Sequence, residues 1–397
     1  MADGTAIEWT EATWNPVAGC SVVSPGCKHC YAMKMAARIE AMQAALGKPT
    51  HYAGLTRPGK AGAVWTGKMA VAPDETMTQP LRWKKPRRIF VNSMSDLFHE
   101  DVADETIDRV FAVMALCPQH TFQILTKRAK RMREWFEERW QGTPAQRYKV
   151  GNQVFDMPAG GETGREHQVE IAVESVLEGF PHMIDTDNDA LWTDDGDLKI
   201  RQYKWPLPNV WLGVSTEDQE RANERIPDLL ATPAAVRFLS CEPLLGPVNL
   251  RYMRYESGDQ LPAEMRVNEE RCSLDALRGV TIWPGSHYVS PSIAKRMRLI
   301  GGQVFESHGE SRKIDLVIVG GESGPRSRPF DIEWARSIVA QCKAAGVAAF
   351  VKQLGARPYE VPLRSDPNYH RPLRLKNKKG GDTTEWPEDL RVRELPK

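Results

Sequence analysis

The 397-residue chain contains no apolar run long enough to cross a membrane, and its start, Met1-Ala2-Asp3-Gly4-Thr5, lacks the basic and apolar regions of a secretory signal. Both absences lead us to expect a cytoplasmic protein without membrane contact, whose cysteines stay thiols or become metal ligands. Net charge is missing too. The 53 Lys and Arg against 52 Asp and Glu leave a formal +1, so contact with nucleic acid must rest on local patches. A nucleotide-triphosphate loop is absent: Gly320-Gly321-Glu322-Ser323-Gly324 fits neither GxGxxG nor GxxxxGK[ST], and helical pattern resumes only at Asp331. A close backbone approach to a ligand remains possible there. Asp185 to Asp189 opens like a calcium loop but has Ala190 at its sixth position and Gly196 at its twelfth, which excludes an EF-hand.

The cysteines are few and unevenly placed. Cys117, Cys241, Cys272 and Cys342 stand alone and read as small buried apolar residues. Cys20, Cys27 and Cys30 crowd into eleven residues, with six residues in the first gap and two in the second. Thiols this close in a reducing compartment point to metal. Three ligands on a [4Fe–4S] cluster leave one iron open to a substrate or cofactor. A structural zinc site needs a fourth ligand, here His29 or a remote residue, and no second CxxC or HxxxH pair follows.

Around this loop the chain alternates. A β-compatible segment at Thr13-Trp14-Asn15 runs into the cysteine loop, and a helical pattern follows from Tyr31 to Leu46, with Met35, Ile39, Met42 and Leu46 recurring at helical spacing before Gly47. Short apolar runs then end abruptly in polar residues: Ile89–Val91, Phe122–Leu125, Val210–Val214, Val236–Leu239, Leu316–Val319 and Ala348–Val351. Buried parallel strands end in this way. Asp104, Thr216 and Asp331 are the expected helix caps. The expected fold is α/β, a partial β/α (TIM-like) barrel of about six or seven units over residues 1–356. Insertions at about 141–208 and 251–313 break the rhythm. A basic, Pro-containing tail at 357–397 is expected on the surface.

In such a barrel the active mouth lies at the carboxyl ends of the strands. Those ends carry Ser93 with Asp96, Thr126-Lys127, Ser215 with Glu217, Ser240 with Glu242, Glu322-Ser323, and Lys352-Gln353. Singly each pair reads as a cap or solvated loop; together they describe a polar mouth. Basic residues group at Arg82 to Arg88, at Lys127-Arg128-Ala129-Lys130-Arg131, and from Arg371 to Lys379. Only the second borders the mouth, so Lys127, Arg128, Lys130 and Arg131 are the expected phosphate contacts.

Thr10 to Ala32, with VNSMSDLF (91–98), ILTKR (124–128), WLGVS (211–215), FLSCEPLLGPV (238–248), VIVGGESG (317–324) and FVKQLG (350–355), resembles a phage-associated radical-SAM-like family of largely unassigned function. More distantly it is similar to the spore photoproduct lyase branch of radical-SAM enzymes. The resemblance implies a [4Fe–4S] cluster on Cys20, Cys27 and Cys30 and S-adenosylmethionine on the open iron. It also implies a three-Cys-motif partner protein and a reductase or flavodoxin-like electron donor. The six-then-two spacing departs from the commonest three-then-two, and Asn92-Ser93-Met94-Ser95 replaces the usual glycine-rich motif. On this reading Ser93 and Asp96 meet the methionine ammonium, Ser215 and Glu217 the ribose, and Glu242, Glu322 and Lys352 the substrate. The expectation is an enzyme that makes a 5′-deoxyadenosyl radical and acts on a nucleic acid or nucleotide-like substrate. The alternative is a zinc-stabilised nucleic-acid-binding protein without catalysis.

Overall fold

The β-compatible segment before the cysteine loop and the six apolar runs become seven strands. In the computed structural model they are β1 (Ala12–Trp14), β2 (Arg88–Val91), β3 (Thr121–Thr126), β4 (Val210–Ser215), β5 (Val236–Cys241), β6 (Leu316–Gly320) and β7 (Ala348–Gln353). The structure describes residues 5, 7–60, 62–140, 163–179, 205–251, 273–278, 313–361 and 371–396, with the strand backbones at 146–150, 153–157, 280–283, 297–300 and 303–307. The strands form one sheet in chain order, every neighbour parallel, curled as a half-barrel. Parallel neighbours need crossovers, and helices supply them.

The helices are α1 (Tyr31–Ala45), α2 (Asp104–Ala115), α3 (Ala129–Glu137), α4 (Arg165–Gly179), α5 (Gln219–Ala231) and α6 (Ile332–Ala345). Alternation along each strand separates two cores. Ile89 and Val91 pack in the large cluster with Phe122, Val214 and the helix residues Phe111, Trp135 and Ile338. Phe90, between them, joins Trp9, Phe238, Ile318 and Phe350 in a second cluster. That second cluster fills the hollow of the curl.

Capping differs from expectation in two places. Asp331 caps α6 as expected, accepting from Glu333 N at 3.0 Å. The cap of α5 is Asp218, which accepts from Arg221 N at 2.8 Å, while the Thr216 hydroxyl stands 3.1 Å from Cys241 Sγ. Asp104 lies inside the first turn of α2, after Ala103, and its carboxylate goes to Arg131 and Arg165. The apolar spacing on α1 also points the other way. The helix buries Ala32, Met33 and Ala36 and leaves Met35, Met42 and Leu46 exposed.

Part of the first insertion docks on the sheet's helices. Arg165 of α4, 1% exposed, lies over the Trp135 and Trp140 rings and donates to Asp108 at 3.0 Å. The described strands of the second insertion pair antiparallel in a four-stranded sheet. Cys272 and the Asp185 loop lie outside the described residues.

The tail is not merely superficial. Trp386 and Leu390 are buried in the large core, and the chain beyond them runs along β7. There Val351 N donates to Val392 O at 2.8 Å and Glu394 N to Ala349 O at 2.9 Å. Among the described residues, no helix is long and apolar enough to cross a membrane.

Candidate functional site

The cysteine loop leaves β1 and passes over the carboxyl ends of the strands before entering α1. Pro25–Cys27 forms a single 3₁₀ turn, and Cys30 is the residue before the first turn of α1. Cys27 is buried, Cys20 and Cys30 half-buried. Burial, followed by the nearby Asp96 carboxylate, pushes the Cys20 thiol up to about 12, against the pull of Arg128. Burial also raises Cys30, while the amides of Ala32 and Met33 and the Lys127 ammonium pull it down. Cys20 also feels Cys27 and Cys30, and Cys30 feels Cys27, so the three thiols are electrostatically linked. Among the described residues, no group of three or more His, Cys, Asp or Glu side chains is placed to hold a metal ion.

Three strand ends hold this loop down. From β3, Arg128 is buried and donates to Ser21 Oγ at 2.6 Å, to Asp96 at 2.9 Å and to Glu100 at 2.9 Å. Its Nη1 reaches Cys20 Sγ at 3.9 Å. Asp96 in turn accepts from the Thr126 hydroxyl at 2.6 Å and from Lys127 N at 3.0 Å. From β4, the Glu217 carboxylate accepts from the Ser24 hydroxyl, from Gly26 N at 3.2 Å and from Arg225 at 3.1 Å. A Cβ on Gly26 would meet Glu217 Oε1 at 2.9 Å, so glycine is what lets the carboxylate close on the loop. Burial would raise the Glu217 carboxyl, but Lys127 and Arg225 outweigh it and hold the group below the usual range.

From β6, Glu322 lies 3.1 Å from His29 Nδ1 and accepts from Arg328 at 2.8 Å, while Arg328 donates to Pro25 O at 2.9 Å. Burial works to raise Glu322, and Arg328 with His29 wins to lower it. The long first gap between cysteines is therefore the part of the loop these side chains grip.

The remaining mouth residues fall in two groups. Ser93 donates to Asn15 at 3.1 Å and its carbonyl accepts from the Tyr31 hydroxyl at 3.0 Å. Ser215 is buried, its carbonyl taken by Arg225 at 2.8 Å. Glu242 and Lys352 pair with each other, Nζ to the two carboxylate oxygens at 2.7 and 3.0 Å, with both side chains 17% exposed. This pair is half-buried at the carboxyl ends of β5 and β7.

The basic segment 127–131 does not form one surface. Arg128 is buried, Arg131 is paired with Asp104, and exposed Lys130 lies 3.7 Å from Glu134. Lys127 is half-buried, and its ammonium acts on Cys30 and Glu217. The residues that sequence reasoning missed are Ser24, Gly26, Arg225 and Arg328. Only Gly26, wedged between Pro25 and Cys27, carried a signal that the backbone there meets something closely.

The fold and site together define an α/β protein with a parallel half-barrel and a three-thiol loop fixed across its carboxyl ends. The chain belongs to the family described as protein of unknown function (DUF5131), whose family model matches residues 4–383. No curated protein and no solved structure matches it.

Proposed function

We propose that the chain is a radical S-adenosylmethionine-type iron–sulfur enzyme whose half-barrel is the wall of a partial β/α barrel. The observation that carries this reading is the set of three thiols on one loop, fixed at the strand ends by Arg128, Glu217 and Glu322. Three thiols are the donor chemistry such a cluster takes, and loading it would require the side chains to gather more closely than they stand here. Cys20, Cys27 and Cys30 would hold three irons of a [4Fe–4S] cluster, each thiolate on a different corner. Arg128 and Lys127 supply positive charge beside the thiolates. When bound, the cluster would supply the electron that splits S-adenosylmethionine and so provides a 5′-deoxyadenosyl radical for hydrogen abstraction.

The chain's own residues divide the remaining work. Asp96 and Glu217 keep the loop in place, with Ser93 and Ser215 beside them on the cofactor side of the mouth. The reading assigns the same four to the methionine ammonium and the ribose. Glu242 and Lys352 face the substrate, and Glu322 links the substrate side to His29. The substrate proposed is a nucleic acid or nucleotide-like molecule. Of the segment beside the mouth, Lys127 and Lys130 have the freest charges to meet its phosphates. The reading also calls for a reductase or flavodoxin-like electron donor and, from the family resemblance, a three-Cys-motif partner protein.

Anaerobic reconstitution tests the assignment. The brown protein should hold about four irons per chain, and Cys27→Ala should lose them. With a strong reductant, the loaded wild type should release 5′-deoxyadenosine and methionine. Full iron retention by Cys27→Ala, or a colourless protein that takes up only zinc, overturns the reading.

A further inference from the structure

Two sequence features meet in space beside the mouth. The loop after β6, Gly321 to Pro325, and the basic stretch from Arg371 to Lys379 flank a cavity of about 410 Å³. Its lining includes Gly324, Pro325, Pro358, Leu373, Leu375 and Lys378. The walls are laced by backbone hydrogen bonds. Ala356 N donates to Glu322 O at 2.9 Å, Leu354 N to Gly380 O at 2.9 Å, and Leu373 N to Pro358 O at 2.9 Å. Gly355 adopts φ +77, and a Cβ there would meet Glu322 O at 2.7 Å, so the three segments come together only because this residue has no side chain.

The chemistry of the cavity is two-sided. Its floor is prolines and leucines, with no carboxylate among the lining residues. Its rim belongs to a stretch with Arg371, Arg374, Lys376, Lys378 and Lys379 all exposed and no Asp or Glu between them. Among the described residues, Arg371 leans toward a carboxylate, Glu360, at 3.9 Å, and the other four have no such partner. Glu385 and Asp382, just beyond, accept from backbone amides. The volume lies within the usual range for a small-ligand pocket. The apolar floor of prolines and leucines gives a base a dry contact surface without an aromatic ring to stack on, and a row of cations longer than one phosphate suits a strand. The cavity also lies close to the mouth, since Gly324 is two residues beyond Glu322, which touches His29 of the cysteine loop.

We propose that this cavity seats one unpaired base of a single-stranded nucleic acid while the cations of 371–379 hold the flanking phosphates. The proposal deepens the nucleic-acid part of the function above and rests on it for the nature of the substrate. Its test runs on the full chain with and without iron, so it is read separately from the cluster.

The probe is a fluorescent twelve-residue oligothymidylate, titrated across a range of salt, beside an abasic strand of the same length. Wild type should bind the thymidylate more tightly than the abasic strand, with or without iron. Lys376→Glu with Lys378→Glu should weaken binding roughly tenfold or more and reduce the salt slope by about 1.4, at about 0.7 per lost single-strand phosphate contact. Iron content should not change in that double variant. Ala356→Phe, which fills the cavity and leaves every cation in place, should abolish the preference for thymidylate over the abasic strand. Equal wild-type binding of the two strands, no binding at all, or unchanged affinity in the double lysine variant overturns the proposal. If the thymidylate preference survives in Ala356→Phe, the base sits elsewhere and the proposal also fails.

Discussion

Segments 127–131 and 371–379 look alike as strings, each a cluster of Lys and Arg without an acid, yet the fold uses them in opposite ways. The first lies at the end of β3 and in the first turn of α3, where Asp96, Glu100 and Asp104 arrive from the loop after β2 and the start of α2. Its two arginines are spent on those carboxylates. The second runs over the loops that follow β6 and β7 and keeps its charges in water. A run of cations is therefore no guide to a phosphate site until the partners brought by the fold are known. Surface charges are free to recruit an outside anion, whereas a buried guanidinium already has its counter-ions.

Stability measurements sharpen this contrast. The largest effect should come from Arg128→Met, which takes the counter-charge from the buried Asp96 carboxylate and one hydrogen bond from Ser21. Removing one partner of a buried pair costs about 3–5 kcal/mol, read as a lower urea midpoint. Adding Asp96→Asn to it should recover part of the loss. If Arg128→Met costs no more than a surface change, the two segments are equivalent and the comparison collapses.

Arg131→Met should cost about 1 kcal/mol, because its ion pair is partly exposed and Asp104 keeps Arg165 at 3.1 Å. The smallest shifts belong to exposed lysines. Lys130→Glu and Lys378→Glu should each move stability by no more than about 0.5 kcal/mol. These two should then separate on the oligothymidylate titration: both weaken binding, and Lys378→Glu does so more strongly than Lys130→Glu. Equal losses in both would put the nucleic acid across the mouth rather than along the tail.

Six of the seven strands were legible because each is a short apolar run that stops at a polar residue, the pattern of a parallel strand buried on both faces, and β1 by its β-compatible segment before the cysteines. The cysteine loop between strand and helix was legible for the same reason. The side of α1 that packs was not. Met35, Met42 and Leu46 have the spacing of a buried face, but small Ala32 and Ala36 with Met33 allow the closer approach, and the larger residues are left outside. Thr216 read as the cap of α5, but its amide donates to Ser240 O and its hydroxyl lies beside Cys241 Sγ, so Asp218 caps the helix instead. In the mouth, the positions of Asp96, Glu217 and Glu322 could be read from the strand ends. Their partners could not, because Arg225 and Arg328 lie on other segments and nothing local marks them.

The pairing of the tail along β7 has a further consequence, for how molecules of this protein meet one another. The outermost strand of an open sheet exposes a row of backbone donors and acceptors that any extended peptide, including another copy, is able to complete. Here Val392 and Glu394 occupy that row themselves, and Arg393 lies over the Phe350 ring. The chain in this way carries a stopper for its own sheet, and loosening the stopper would leave a sticky border that invites copies to stack strand upon strand.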